Sequence, residues 1–448
     1  MARSTQSWLS GRAAGRLAHR EGGALSNLTI AERYFDGPAI VIAGAGIGGL
    51  AAALELHRHG IRCRVLEATR DVRPLGVGIN LLPSATRVMA GLGLLERLVD
   101  GAVETGELVF FNRHGQRIWR EPRGRAAGYD YPQVSCHRGA LQLLLLDAVR
   151  ERLGRDAVQC GQALTGYHEN DAKVDVDVLD RANGTTCTLI ADVLVGADGI
   201  HSVARTGIAP PEDAVRYAGR MLWRATTRAP SFLTGATMIM AGHQDQKFVC
   251  YPITPPGADG RQTINWIAEL PVAENPAPQD WSRVVDASRF RDAFAAWQFD
   301  WLDVPRLIDG ATEIYEYPLA DRDPLATWGD GRVTLLGDAA HPMYPIGSNG
   351  ASQAILDAAA LAAAIAAAAD PVAALRAYQT ERREPTGRII LANRGNGPEQ
   401  VMQLAETRAP DGFEDIEAVI PRAELEEIAA RYKVLAGFSP QQVNAPGA

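Results

Sequence analysis

Four glycines within six residues, Gly44-Ala45-Gly46-Ile47-Gly48-Gly49, constrain this chain more than any other stretch. The apolar run 38–43 leads into them, and Leu50 to His59 continues with apolar residues at helical spacing, which predicts strand, tight turn and helix in succession. Gly44 lets the chain turn out of the strand, Gly46 bares the backbone for a pyrophosphate, and Gly49 lets the helix lie close on the sheet. The amino terminus of that helix then faces the phosphates. A second strand, Arg62 to Leu66, delivers Glu67, whose carboxylate suits the ribose hydroxyls of an adenosine and repels a 2'-phosphate. FAD or NAD is expected here rather than NADP.

A second signature lies far downstream. Arg332 to Leu336 repeats the parallel-strand pattern, and the run from Gly337 to Gln353 opens a helix expected over Ile355 to Ala369. Asp338, at a strand end, suits a ribityl hydroxyl. Gly347, Asn349, Gly350 and Ala351 can offer backbone N–H groups to the electron-rich pyrimidine edge of a flavin, and Pro345 fixes the approach to that loop. Together the two signatures specify FAD. Between them, the strand-like run Leu189 to Val195 ends in Gly196-Ala197-Asp198-Gly199. Asp198 either anchors its own loop by accepting backbone hydrogen bonds or shapes the cofactor region. The turn-rich segment 71–80, with Val77 between two glycines, permits close approach to a ligand. His341 invites reading as a base, but its place in the flavin motif favours organising the loop.

At 448 residues the chain exceeds the size at which one core stops growing, so two domains around a cleft are expected. From about residue 218 to 320 short strand patterns with proline and glycine turns predict a mainly antiparallel sheet, with a helix over Trp281 to Phe299. Its aromatic residues, among them Trp223, Tyr251 and Tyr315, either line a cleft or pack a core. Arg224 or Arg220 could pair with a carboxylate there or sit at the surface, and His243 is a further pocket candidate. A net charge of -8 without a basic stripe gives no support for a nucleic-acid partner. Five irregularly spaced cysteines suggest reduced thiols in a cytoplasmic protein, and no metal-ligand spacing is present. No membrane span is expected; the alanine-rich stretch 358–369 reads as a packed helix. Residues 1–37 are either a mobile extension or an added helix, and Arg422 to Leu435 should be helical.

With all three signatures in order, the chain resembles the single-component FAD-dependent aromatic hydroxylases. The stretches 73–80, His137-Arg138-Gly139-Ala140-Leu141-Gln142, Met221-Leu222-Trp223-Arg224 and 343–353 are most similar to the branch that hydroxylates phenazine carboxylates in pyocyanin formation. The resemblance implies an α/β, para-hydroxybenzoate-hydroxylase-like fold. A Rossmann-like FAD-binding domain would be built from 38–217 and 322–395, with the substrate-binding domain 218–321 inserted and a helical segment and tail over 396–448. It implies FAD contacts from Gly44, Gly46, Gly49, Glu67, Val77, Arg138, Gln142, Asp198, Asp338, Pro345, Gly347, Asn349, Gly350 and Ala351. Substrate contacts would come from Trp223, Arg224, Tyr251 and Tyr315, with Pro345, Gly347 and Tyr251 nearest the chemistry.

The implied reaction uses NADH or NADPH as transient reductant. Dioxygen adds at the flavin C4a carbon, and the hydroperoxide passes oxygen to an electron-rich aromatic or nitrogen-heteroaromatic molecule. The alternative on the same scaffold is a flavin-dependent dehydrogenase or reductase without oxygen insertion. Aromatic substrate and dioxygen are the expected partners of a monomer or homodimer.

Overall fold

The computed structural model describes residues 40–74, 76–272 and 283–445. Two sheets organise them. In the first, five parallel strands stand in the order Val333–Leu335, Val193–Gly196, Ile40–Ala43, Cys63–Glu67 and Val158–Cys160. Ile40 to Ala43 are all but inaccessible, as a central strand covered on both faces requires. Its register sets Ala43 beside both Leu66 and Gly196. The neighbouring turns are tied level: Gly44 N donates to Leu66 O at 2.7 Å, Ala197 N to Ala43 O at 2.8 Å, and Leu336 N to Gly196 O at 2.9 Å. All three predicted signatures therefore emerge at one carboxyl edge, where open sheets bind ligands.

The expected strand Leu189 to Val195 is two strands. Thr186–Ala191 closes an antiparallel meander with Val174–Asp180 and Gln162–Glu169, and Val193–Gly196 enters the parallel sheet. A continuous apolar run concealed a change of sheet at Asp192.

Helix Ile47–Arg58 packs on helix Gly350–Ala367 through small residues. A Cβ at Gly48 would lie 2.6 Å from Leu336 Cδ2. The second helix begins five residues before the predicted start, since its Gly-Ala-Ser-Gln opening reads locally as loop. Ile346–Ala367 is long and apolar enough to cross a membrane, contrary to the expectation from sequence. About half of it is buried within the fold, including Asp357, which is bonded to His341 and Arg382.

The second sheet has eight strands, ordered Arg283–Val285, Ile314–Asp321, Arg216–Pro230, Arg261–Pro271, Gln246–Pro252, Thr237–His243, Glu107–Phe111 and Arg117–Pro122. Its last two strands precede 218–321 in the chain, so the sheet is wider than the inserted segment read from the sequence. Glu107–Phe111 joins in parallel to Thr237–His243.

One face of this sheet holds Trp223, Phe248 and Trp266 against Phe290, Phe294 and Trp297. The other carries Leu222, Met240, Val249, Tyr251 and Ile267, with Val401, Met402 and Leu425 from the carboxyl-terminal segment in the same cluster. The helix expected over Trp281 to Phe299 does not form across the described residues. After Arg283–Val285 come two 3-10 turns, Ala287–Arg289 and Arg291–Phe294, and the short strand Gln298–Phe299. Phe290, Phe294 and Trp297 plug the sheet at a spacing that imitates a helical stripe. Trp281 and residues 1–37 lie outside the described residues. Helix Arg422–Leu435 spans the predicted range.

Candidate active site

A cleft of about 340 Å³, open to solvent, separates the carboxyl edge of the parallel sheet from the second sheet. Two helix starts line it, Gly46 to Gly48 and Asn349 to Ala351, and neither helix has a side-chain cap. Their free N–H groups suit an anionic or electron-rich ligand. The glycine turn is closed behind and open in front. A Cβ at Gly44, where φ is +107°, would meet Ala197 O at 2.3 Å, and one at Gly49 would meet Gly44 O at 2.0 Å. At Gly46 nothing among the described residues lies within 4 Å. This cradle fits the dinucleotide FAD.

Around it, Glu67 accepts from Ala45 N at 2.8 Å and from Thr69 N at 2.7 Å, while Gln142 Nε2 donates to Ala45 O at 2.8 Å. Both hold the glycine turn in shape. Arg138 lines the cleft, with its N–H on Val77 O at 2.9 Å; Val77 itself is buried and contributes through that carbonyl. Asp338, Pro345, Gly350 and Ala351 also line the cleft.

Asp198 is a loop anchor. Its carboxylate accepts from Val203 N at 2.7 Å, from Ala204 N at 3.3 Å and from the Ser202 hydroxyl, while its neighbours Ala197 and Gly199 face the cleft. Burial raises this carboxyl and the hydrogen bonds oppose the rise. His341 organises its loop, with Nε2 2.5 Å from Asp357 Oδ2. Gly347, read from sequence as next to the chemistry, turns away from the cleft: with φ at +69° its missing Cβ faces the Tyr432 hydroxyl. Asn349 reaches the same hydroxyl at 2.8 Å.

Strand alternation fixes the cleft's other wall. Leu222 and Arg224 face the cleft, so Trp223 between them points to the opposite face, where it stacks on Phe290 and donates to Glu316 at 2.9 Å. The expected substrate contact at Trp223 is therefore corrected to a core role. Tyr315 is corrected too: its hydroxyl is taken by Glu313 at 2.7 Å, near the exposed end of its strand and outside the cleft lining. Arg220 is held by Glu269 and Gln244 O, and His243 accepts from Asp245 N, both away from the lining.

Tyr251 does line the cleft, and burial pushes its phenol up to about 12 despite the neighbouring Arg224. Arg224 donates to Gly78 O at 3.1 Å, and its buried Nε has no partner among the described residues. Asn265 Oδ1 accepts from Gly78 N at 2.7 Å, drawing the two domains together.

Sequence reasoning missed a buried ionic row in the same wall. Lys247 Nζ lies 2.7 Å from Glu269 Oε2 and 2.7 Å from Glu399 Oε2, and Arg220 Nη1 lies 3.1 Å from Glu269 Oε1. All but Arg220 line the cleft. The available signal was a charge at an inward position of an otherwise apolar strand face, at Lys247 before Val249 and Tyr251, and at Glu269 after Ile267. Glu399 sits in a short Gly-Pro-Glu turn that carries no such signal.

A dinucleotide cradle opposite an apolar wall with buried polar anchors defines a flavoenzyme that acts on a small, flat molecule. Residues 38–391 match the FAD binding domain family. The phenazine 1,6-dicarboxylic acid hydroxylase PhzS of Lysobacter antibioticus is 46% identical over 365 residues, which cover 79% of this chain and 89% of that protein. The 3-hydroxybenzoate 6-hydroxylase of Polaromonas naphthalenivorans is 31% identical, covering 85% and 95%. The crystal structure of Klebsiella pneumoniae HpxO with FAD and uric acid has the same fold, at TM-score 0.69 and 24% identity, over 92% of this chain and 98% of that one. The chain belongs to the FAD-dependent, single-component aromatic monooxygenases and is closely related to the PhzS-type phenazine hydroxylases. It is an NAD(P)H- and dioxygen-using enzyme that hydroxylates an aromatic or heteroaromatic substrate.

Proposed function

We propose that the substrate is a fused nitrogen-heteroaromatic carboxylic acid of the phenazine class, its carboxylate on Arg224 and Tyr251 and its rings against Leu222, Ile267, Val249 and Met240. The observation that carries this reading is Arg224 in the cleft lining, a guanidinium that pairs with no carboxylate among the described residues and whose buried Nε–H is unpartnered there. A desolvated guanidinium donor of this kind gains most from a carboxylate. The name of the 46% identical relative points the same way.

Bound FAD, reduced by NADH or NADPH, supplies the activation of dioxygen. The residues proposed to hold it are Gly44, Gly46, Gly49, Glu67, Val77, Arg138, Gln142, Asp198, Asp338, Asn349, Gly350 and Ala351, in part directly and in part by shaping the loops. The chain's other tasks are orientation and exclusion of water. Pro345, with Met343 and Ile346, borders the substrate on the flavin side, and Gly347 sets the bend behind Pro345. Tyr251, with a phenol near 12, keeps its proton at neutral pH and donates to the substrate rather than acting as a base. The five cysteines are all free thiols, which supports a cytoplasmic setting, with the protein acting as monomer or homodimer.

The test is Arg224→Lys and Arg224→Gln turnover on phenazine-1-carboxylate under labelled dioxygen. Arg224→Gln should raise KM about tenfold to a hundredfold, from the roughly 1.5–3 kcal/mol of a charge-assisted hydrogen bond, with Arg224→Lys restoring only part. Labelled product with an unchanged KM would refute the assigned anchor.

A further inference from the structure

The ionic row has no place in the binding mode just described, and its position is fixed by register. Tyr251 pairs with Asn265, and four residues along the same two strands Lys247 pairs with Glu269. At about 3.3 Å per residue the two levels are roughly 13 Å apart, a distance a linear three-ring system can span. Val249 pairs with Ile267 between them and forms the apolar middle. One end of the wall thus offers donors, through Arg224 and Tyr251. The other presents charges already matched to one another.

At that far end Lys247 is engaged by both Glu269 and Glu399, and Glu269 is engaged by Arg220 as well. Two cations face two carboxylates, and each of the three lining residues is less than a tenth exposed. Among the described residues at that end, an incoming carboxylate would find no cation that is not already paired. It would also lie beside two carboxylates in a desolvated setting, where an unmatched charge is strongly disfavoured. A neutral ring edge, or a hydroxyl or amine that donates to a glutamate oxygen, meets no such penalty.

We propose that the Lys247–Glu269–Glu399 row is a specificity element that admits monocarboxylates with a neutral or donating far edge and rejects a second carboxylate there. This rests on the carboxylate anchor proposed above.

The test measures the affinity of oxidised holoenzyme for phenazine-1-carboxylate and phenazine-1,6-dicarboxylate, read from the ligand-induced change in the flavin absorption band. The monoacid should bind at least tenfold more tightly. In Glu399→Gln, which keeps the shape and removes one negative charge, the diacid should tighten at least tenfold while the monoacid moves less than threefold. Equal affinities in the wild type would overturn the proposal without any variant, and so would a folded, FAD-loaded Glu399→Gln protein with an unchanged ratio. If neither acid binds, the functional reading fails and this one falls with it. If both bind equally and Arg224→Gln weakens both, the anchor stands and only the selectivity is refuted.

Discussion

Gly347→Ala would force an L-residue into a φ of +69° and aim its Cβ at the Tyr432 hydroxyl, 2.3 Å away. The left-handed backbone alone costs alanine about 1–2 kcal/mol. Relieving the overlap means moving Tyr432, whose hydroxyl donates to Asn393 Oδ1 at 2.7 Å and accepts from Asn349 at 2.8 Å. Asn349 keeps a second acceptor in Gly347 O at 3.2 Å, so the larger loss falls on the buried Asn393, about 1–3 kcal/mol. The sum is roughly 2–5 kcal/mol. It can surface in two ways: the fold loses that stability, or the loop opens and FAD affinity drops by about thirtyfold or more. Urea unfolding of the holoenzyme and FAD affinity from flavin fluorescence should therefore be measured together. Tyr432→Phe isolates the polar part and should lose about 1–2 kcal/mol. Gly350→Ala is the control for stability alone, because nothing among the described residues lies within 4 Å of its Cβ position. A Gly347→Ala protein within about 1 kcal/mol of wild type, with FAD affinity within about fivefold, would refute the reasoning.

Three further outcomes follow from the packing. Gly49→Ala should yield protein without bound FAD, checked by the absorbance ratio after gel filtration, because its Cβ would sit 2.0 Å from Gly44 O. Trp223→Phe should lower stability by about 1–2 kcal/mol, because the buried Glu316 loses its indole donor but keeps Arg289 at 3.2 Å, while leaving KM unchanged, which initial-rate kinetics would separate. Burial alone would raise the Asp357 carboxyl, but His341 and Arg382 outweigh it and hold it below the ordinary carboxylate value. A depressed pKa stabilises fully above the unfolded value, near 4, and is lost as pH falls through the folded one. Asp357→Asn should thus be less stable at pH 7 and show a shallower decline below about pH 4 in acid titrations followed by circular dichroism.

The cofactor half of the site was legible because backbone geometry dictates it: a turn that only glycine can make leaves its mark in the residue list. Gly44, Gly49 and the Gly347 bend are cases where a methyl group collides with main chain or a fixed ring. The substrate wall was legible only by strand alternation. Arg224 and Tyr251 line the cleft and Trp223 does not, since one residue's shift along a strand exchanges the cleft for the core. The false helix over 281–299 shows the converse error, in which aromatic plugs under a sheet reproduce helical spacing. Glu399 illustrates a third limit. It reaches Lys247 across 152 residues of chain, and no local pattern encodes a meeting of that range.

The parallel pairing of Glu107–Phe111 with Thr237–His243 governs how the molecule can be made and divided. Glu107–Phe111 is synthesised long before Thr237–His243 and, although Arg117–Pro122 pairs with its other side, it keeps one edge open while the meander and two parallel strands are added. During that interval Leu108, Val109 and Phe110 present an open strand edge to other chains. No single cut releases a complete substrate domain, so exchanging that domain between relatives requires transplanting two separated stretches of sequence at once. Folding is accordingly a late event for the whole chain, and aggregation during expression should track conditions that stall elongation between these two strands.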